Sequence, residues 1–144
     1  MSVGWGIALV VLGLLAWLGQ ALSWVAPGLA ARLGVTETES AVEPAFWADV
    51  RAEAIWDSLT LWTLPLAGVL LLADATTWPQ WGLIGGAVYL YFGGRGVLSR
   101  IQVKKQGLRI GTEAEARSAF VMLPVWALAG LITIVAGGIT ECCG

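Results

Sequence analysis

Five charged residues hold most of the chemistry this chain can offer. Arg51, Glu53 and Asp57 fall within one short stretch, and Arg95 and Arg100 follow in a later apolar segment. Glu53 and Asp57 are spaced i, i+4, so a helix sets both carboxyls on one face. Two carboxyls so placed can work as an acid/base pair, or, more commonly, as partners for a cation. Asp57 and Arg95 each lie at or just inside the edge of an apolar run, where a lone charge is costly and is usually paired. The expectation is that Asp57 or Glu53 pairs with Arg95 or Arg100. Together Arg51, Glu53, Asp57, Arg95 and Arg100 make a candidate ligand-binding set, suited to an anionic or zwitterionic amphiphile.

Several chemistries find no support. The chain contains no His, which removes the commonest general base and the commonest transition-metal ligand. Gly93, Gly94, Arg95 and Gly96 are too short a run for a phosphate loop and fall on an expected helix. Ser58 has no base nearby in sequence to activate it. No metal ligands occur at useful spacing, no cofactor is implied and no catalytic residue is assigned. A formal net charge of −2 leaves no electrostatic footprint for nucleic acid. Whether the protein is an enzyme stays open.

The elements that must position these residues follow from composition. The chain is 58% hydrophobic and 12% charged, with a mean hydropathy of +0.78. An ordinary soluble domain carries about 25% charged residues. One all-α integral membrane domain over residues 1–144 is expected: a four-transmembrane-helix bundle with a cytoplasmic amphipathic extension of its second helix. At ~20 apolar residues per span, the spans fall at about 3–25, 55–73, 81–98 and 119–139. Pro27 and Gly28 end or kink the first. Pro44 suits the first turn of the amphipathic helix, which runs on into the second span. Pro65 leaves the Leu61 carbonyl without its usual donor and should bend that span. Thr112 and Glu115 match a capping box opening the last helix.

Small residues recur on every span. Gly13 belongs to one such stripe in the first span, Gly82, Gly86 and Gly93 to another in the third, and Gly130 to one in the last. Such stripes let membrane helices approach closely, and these five glycines are the expected packing positions. Cys142 and Cys143 are adjacent, a spacing that disfavours a bridge between them; they read as a tail.

Charge sets the expected orientation. The connector and the loop on one side, with Arg95, contain every Lys and Arg. By the positive-inside rule the loops 26–56 and 99–118 are cytoplasmic and both termini are extracytoplasmic. Leu29 to Asp57 holds two Arg against six acids, and Arg95 to Arg117 holds six bases against two acids. The two segments are complementary and should dock on one another. Whether the acidic connector 36–43 is ordered is not legible.

Two local segments carry a family resemblance. One is Leu64, Pro65, Leu66 and Ala67 followed by Gly68 and the aliphatic run to Leu72; the other is Phe92, Gly93, Gly94 and Arg95. With the length and four-helix layout, they resemble the MAPEG superfamily, the membrane-associated proteins in eicosanoid and glutathione metabolism. The resemblance implies a homotrimer and gives Arg95 the role of contacting an anionic ligand. It also shows a departure. Glutathione-using members carry an Arg-x-His-x-Asn-x-x-Glu type pattern before the proline, and from Arg51 to Asp57 this chain has neither His nor Asn. The resemblance therefore implies a lost or altered glutathione site.

Three functions remain in competition. One is a protein acting by helix assembly, as a homo-oligomer or as an accessory subunit beside other membrane subunits in the lipid bilayer. A second is a membrane enzyme or binding protein for a lipid-like amphiphile at the cytoplasmic face. A third is a small transporter or pore.

Overall fold

The computed structural model describes residues 2–143, with the side chains of Ser2 and Cys143 outside what is described. The described chain is helical: α1 (Ser2–Val25), α2 (Pro27–Arg32), α3 (Pro44–Thr60), α4 (Thr63–Leu72), α5 (Trp78–Lys105) and α6 (Glu113–Cys143), with one 3-10 turn at Glu39–Ala41. Three of the prolines act as punctuation. Pro27, Pro44 and Pro79 each stand in the first turn of a helix, where a missing amide hydrogen costs nothing. Thr112 and Glu115 form the capping box: the Thr112 amide donates to the Glu115 carboxyl at 2.7 Å and the Glu115 amide to the Thr112 hydroxyl at 3.3 Å. Cys142 is an exposed free thiol; the Cys143 side chain lies outside the described residues.

Three stretches are long and apolar enough to cross a membrane: Val3–Val25, Pro44–Leu72 and Glu113–Cys142. This points to a membrane protein. The 28 residues of α5 reach ~42 Å at 1.5 Å per residue, but its glycines and Arg95 make it less apolar. Its position explains that composition. It packs on α4 along one side and on α6 along the other, while α1 lies against α3 and α4.

The order of contacts makes each neighbouring pair antiparallel, and glycine sets the spacing. A Cβ at Gly13 would stand 2.5 Å from Pro65 Cδ, one at Gly85 2.8 Å from Leu64 Cα, and one at Gly86 2.7 Å from the Gly130 carbonyl. Gly93 faces Ala127 and Leu123. Gly82 is looser, with its nearest neighbour on another helix at 3.5 Å, the Thr133 methyl. The outward faces are aliphatic. Ile7, Val11 and Leu18 of α1 and Val121, Leu128 and Val135 of α6 are exposed, a continuous apolar exterior that a protein in water would not leave uncovered.

The second apolar stretch breaks one turn before its proline, at Leu61 and Trp62, between α3 and α4. The break leaves carbonyls without ordinary helical donors, and in an apolar setting each must find a partner. All four do. Ser58 O accepts from the Trp17 indole at 2.8 Å, Leu59 O from the Trp62 indole at 2.8 Å, Thr60 O from the Thr63 hydroxyl at 2.8 Å, and Leu61 O from the Tyr89 hydroxyl at 3.0 Å. Tyr89 is fully buried, and its hydroxyl also lies 2.8 Å from Gly13 O. One tyrosine thus ties α1, the break and α5 together. Trp126 adds a link from α6 to α1, donating to Leu12 O at 3.1 Å.

Candidate functional site

The charged residues gather at one end of the helices. There the acidic connector is ordered and lies along the loop between α5 and α6. Val42 and Ile110 form an antiparallel bridge, flanked by Glu43 N to Arg109 O at 3.0 Å and Gly111 N to Ala41 O at 3.2 Å. Val42 and Ile110 join Phe46 and Val50 in a small core beneath the contact. Val50 and Phe46 recur four residues apart on α3, with Ala54 and Asp57 continuing the buried stripe. Charge complementarity is thus expressed as docking, though through particular pairs and not as a diffuse attraction.

Glu115 holds the connector to the start of α6. It accepts from the Thr38 amide at 3.0 Å and the Thr38 hydroxyl at 2.6 Å while closing its own capping box. The residue stands in the first turn of α6, ahead of the expected span. Burial alone would raise its pKa. The hydrogen bonds from Thr38 and Thr112 outweigh burial and hold it below the ordinary value of 4.5.

The five candidate ligand residues do not form one site. Arg51 turns away to the C-terminus of α1, where its guanidinium donates to Ser23 O and, at 2.8 Å, to Trp24 O. These are carbonyls left over at a helix end, so Arg51 caps a helix. Arg95 pairs with Asp49 at 2.8 Å and with Glu53. The expected pairing across α3 and α5 is therefore made by Glu53 and Arg95. Asp57 is 6% exposed, yet its carboxyl has no hydrogen bond or ion pair among the described residues. Asp57, Glu53 and Arg95 instead share the wall of a cavity of about 210 Å³ between α3 and α5.

Arg100 has a partner that charge counting does not single out. Its Nε donates to Glu37 at 3.0 Å and one Nη donates to the same oxygen; its other Nη donates to Gly96 O at 2.9 Å. The guanidinium also lies 5.5 Å from the Phe46 ring centre. Glu37 and Arg100 are 4% and 7% exposed. This buried pair floors a cavity of about 280 Å³ between α1 and α6. The upper walls are Leu15, Ala16, Phe92, Met122, Leu123 and Trp126; Gln20, Ser118 and Glu115 join the ion pair at the polar end.

What this cavity can hold follows from its chemistry. The apolar walls close on a paired cation and anion with the Glu115 carboxylate beside them, so a headgroup meets local fields of both signs and a small excess of negative charge. An uncharged polar or zwitterionic head fits such a floor; a bare anion would have to compete with Glu37 for Arg100. Among the described residues no group of His, Cys, Asp and Glu side chains is arranged to hold a metal ion.

Glu37, Gln20, Ser118 and Trp126 are the site residues that sequence reasoning missed. Glu37 sits in an acidic run expected to dock as a whole, and nothing in the run singles it out for burial; its fold neighbours do that. Gln20 carried a signal: it is the strongest polar side chain in α1. No protein-family model, no curated protein and no solved structure matches the chain.

Proposed function

We propose that the chain is a four-span membrane protein that binds an amphiphile, with the tail between α1 and α6 and the head at Glu37 and Arg100. The observation that carries this reading is the cavity itself: apolar walls, an opening between two helices, and a buried ion pair at one end only. In this reading α5 also spans, as the third of four in chain order, α3 is the cytoplasmic extension of the second, and the docked connector and loop face the cytoplasm. The placement of every Lys and Arg at that end supports the orientation. Both termini then lie outside.

The assembly reading draws less support than it did from sequence. Its argument was that small-residue faces exceed what one chain can use. Gly13, Gly86, Gly93 and Gly130 are all met by helices of the same chain. The resemblance to the MAPEG superfamily stands as a proposal about layout, with a homotrimer as the assembly it implies. A binding protein for a zwitterionic or uncharged amphiphile accords with the missing His and Asn.

The test is native mass spectrometry of the purified protein in mild detergent, beside Ala119→Trp, which fills the cavity. The wild type should carry a tightly held amphiphile that the variant lacks while remaining folded. Equal adducts in both proteins, or none in either, would refute the reading. The same spectrum reports the oligomeric state.

A further inference from the structure

The cavity between α3 and α5 is a separate place with a different charge balance, and the inference drawn from it does not rest on the α1/α6 cavity. Three carboxylates, Asp49, Glu53 and Asp57, face it with one guanidinium, that of Arg95. Arg95 is already taken by Asp49 and Glu53. Asp57 is left over: a residue more than nine-tenths buried, on the cavity wall, with no partner for its carboxyl among the described residues. A buried unpaired carboxylate within an apolar stretch is costly, and such a group calls for a positive charge from outside the chain.

The rest of the wall says which kind. Trp56 and Tyr91 are exposed at the mouth, each 61% accessible, and Phe92 lies at the inner side. Aromatic faces around a carboxylate attract a diffuse organic cation through the ring quadrupole. Among the described residues the carboxylates are not grouped to ligate a metal ion, and two of the three are engaged by Arg95, which leaves a hard cation too few oxygen ligands to replace its water. We infer that the cavity between α3 and α5 binds an alkylammonium group, its charge against Asp57 and its methyl or methylene surface against Trp56 and Tyr91. The same chemistry is offered by a free quaternary ammonium and by the headgroup of a choline lipid.

The experiment titrates tetramethylammonium into the full-length protein in a maltoside detergent, read by tryptophan fluorescence and by calorimetry. Saturable binding is expected, with choline competing. Asp57→Asn should bind at least about tenfold more weakly, since it removes the charged partner. Trp56→Ala, an exposed position that leaves folding undisturbed, should bind about threefold or more weakly. It keeps the test decisive should Asp57→Asn fail to fold. In nanodiscs at high salt, which screens the negative surface of phosphatidylglycerol, weaker binding in phosphatidylcholine than in phosphatidylglycerol identifies the lipid headgroup as occupant; equal binding in both identifies a free ammonium. The inference is overturned by non-saturable binding, by wild-type affinity in both variants, or by potassium competing as well as choline.

Discussion

Removing one hydroxyl group should loosen the centre of this protein, and the cost can be worked from its neighbours. Tyr89→Phe keeps the ring and its packing against Phe92, 6.1 Å between centres. It deletes the donor 3.0 Å from Leu61 O and 2.8 Å from Gly13 O. Gly13 O retains its place in α1. Leu61 O does not, because residue 65 is proline and has no amide hydrogen to offer. A buried carbonyl left without a donor costs about 1–3 kcal/mol. Hydrogen bonds between membrane helices average nearer ~0.6 kcal/mol, so about 1–2 kcal/mol is expected. The mechanism has its own control. Pro65→Ala returns an amide to Leu61 O, so Tyr89→Phe made on that background should lose less, by about 1 kcal/mol. The assay is reversible unfolding in mixed micelles for the four proteins of the cycle. Equal cost of Tyr89→Phe on both backgrounds would refute the idea that this tyrosine replaces the donor the proline lacks.

Other predictions follow from the same contacts. Gly130→Leu should destabilise by about 1–3 kcal/mol or block folding, because even a Cβ there would stand 2.5 Å from Gly86 O; Gly94→Ala and Gly138→Ala, which meet nothing within 4 Å, should gain about 0.5–1 kcal/mol from helix propensity, and the same unfolding assay checks all three. Arg100→Met should cost about 3–5 kcal/mol by stranding Glu37, whereas Glu37→Met with Arg100→Met should recover most of the loss; melting temperatures of the single and double variants decide it. Docking of the connector should depend on acid through Glu115. Its pKa is lowered in the folded chain, so its contribution is fully present above the ordinary value of 4.5 and is lost as the pH falls through the lowered one. Hydrogen exchange at the Thr38 amide against pH checks this, and Glu115→Gln should remove the dependence.

Sequence and structure meet most closely where a single residue type dictates geometry. Pro27 ends the first helix, and Pro44 and the capping box of Thr112 and Glu115 mark helix starts by local chemistry, where the helices begin. Gly13, Gly86, Gly93 and Gly130 are close-approach positions because a missing Cβ is visible in sequence. The break between α3 and α4 was foreseeable only in part. Pro65 announces a freed carbonyl at Leu61, but the position of the break depends on Trp17, Trp62, Thr63 and Tyr89, side chains that the fold brings together. Charge complementarity between the connector and the loop was legible as a balance, while the choice of partners was not. Six bases and six acids offer many pairings of similar Coulomb energy; burial selects Glu37 for Arg100, and helix-end carbonyls select Arg51. Cavities are the least legible feature, since they are places where packing stops.

The central claim is that an amphiphile occupies the space between α1 and α6, and photolabelling reaches it most directly. A zwitterionic lipid with a diazirine in its acyl chain is incorporated into nanodiscs with the protein, irradiated, and the adducts are mapped by peptide mass spectrometry. Adducts are expected on Ala16, Met122 or Leu123 inside the cavity, lost in Ala119→Trp. Labelling confined to outward positions such as Val11, Leu18, Val121 and Leu128, and unchanged in the variant, would contradict it.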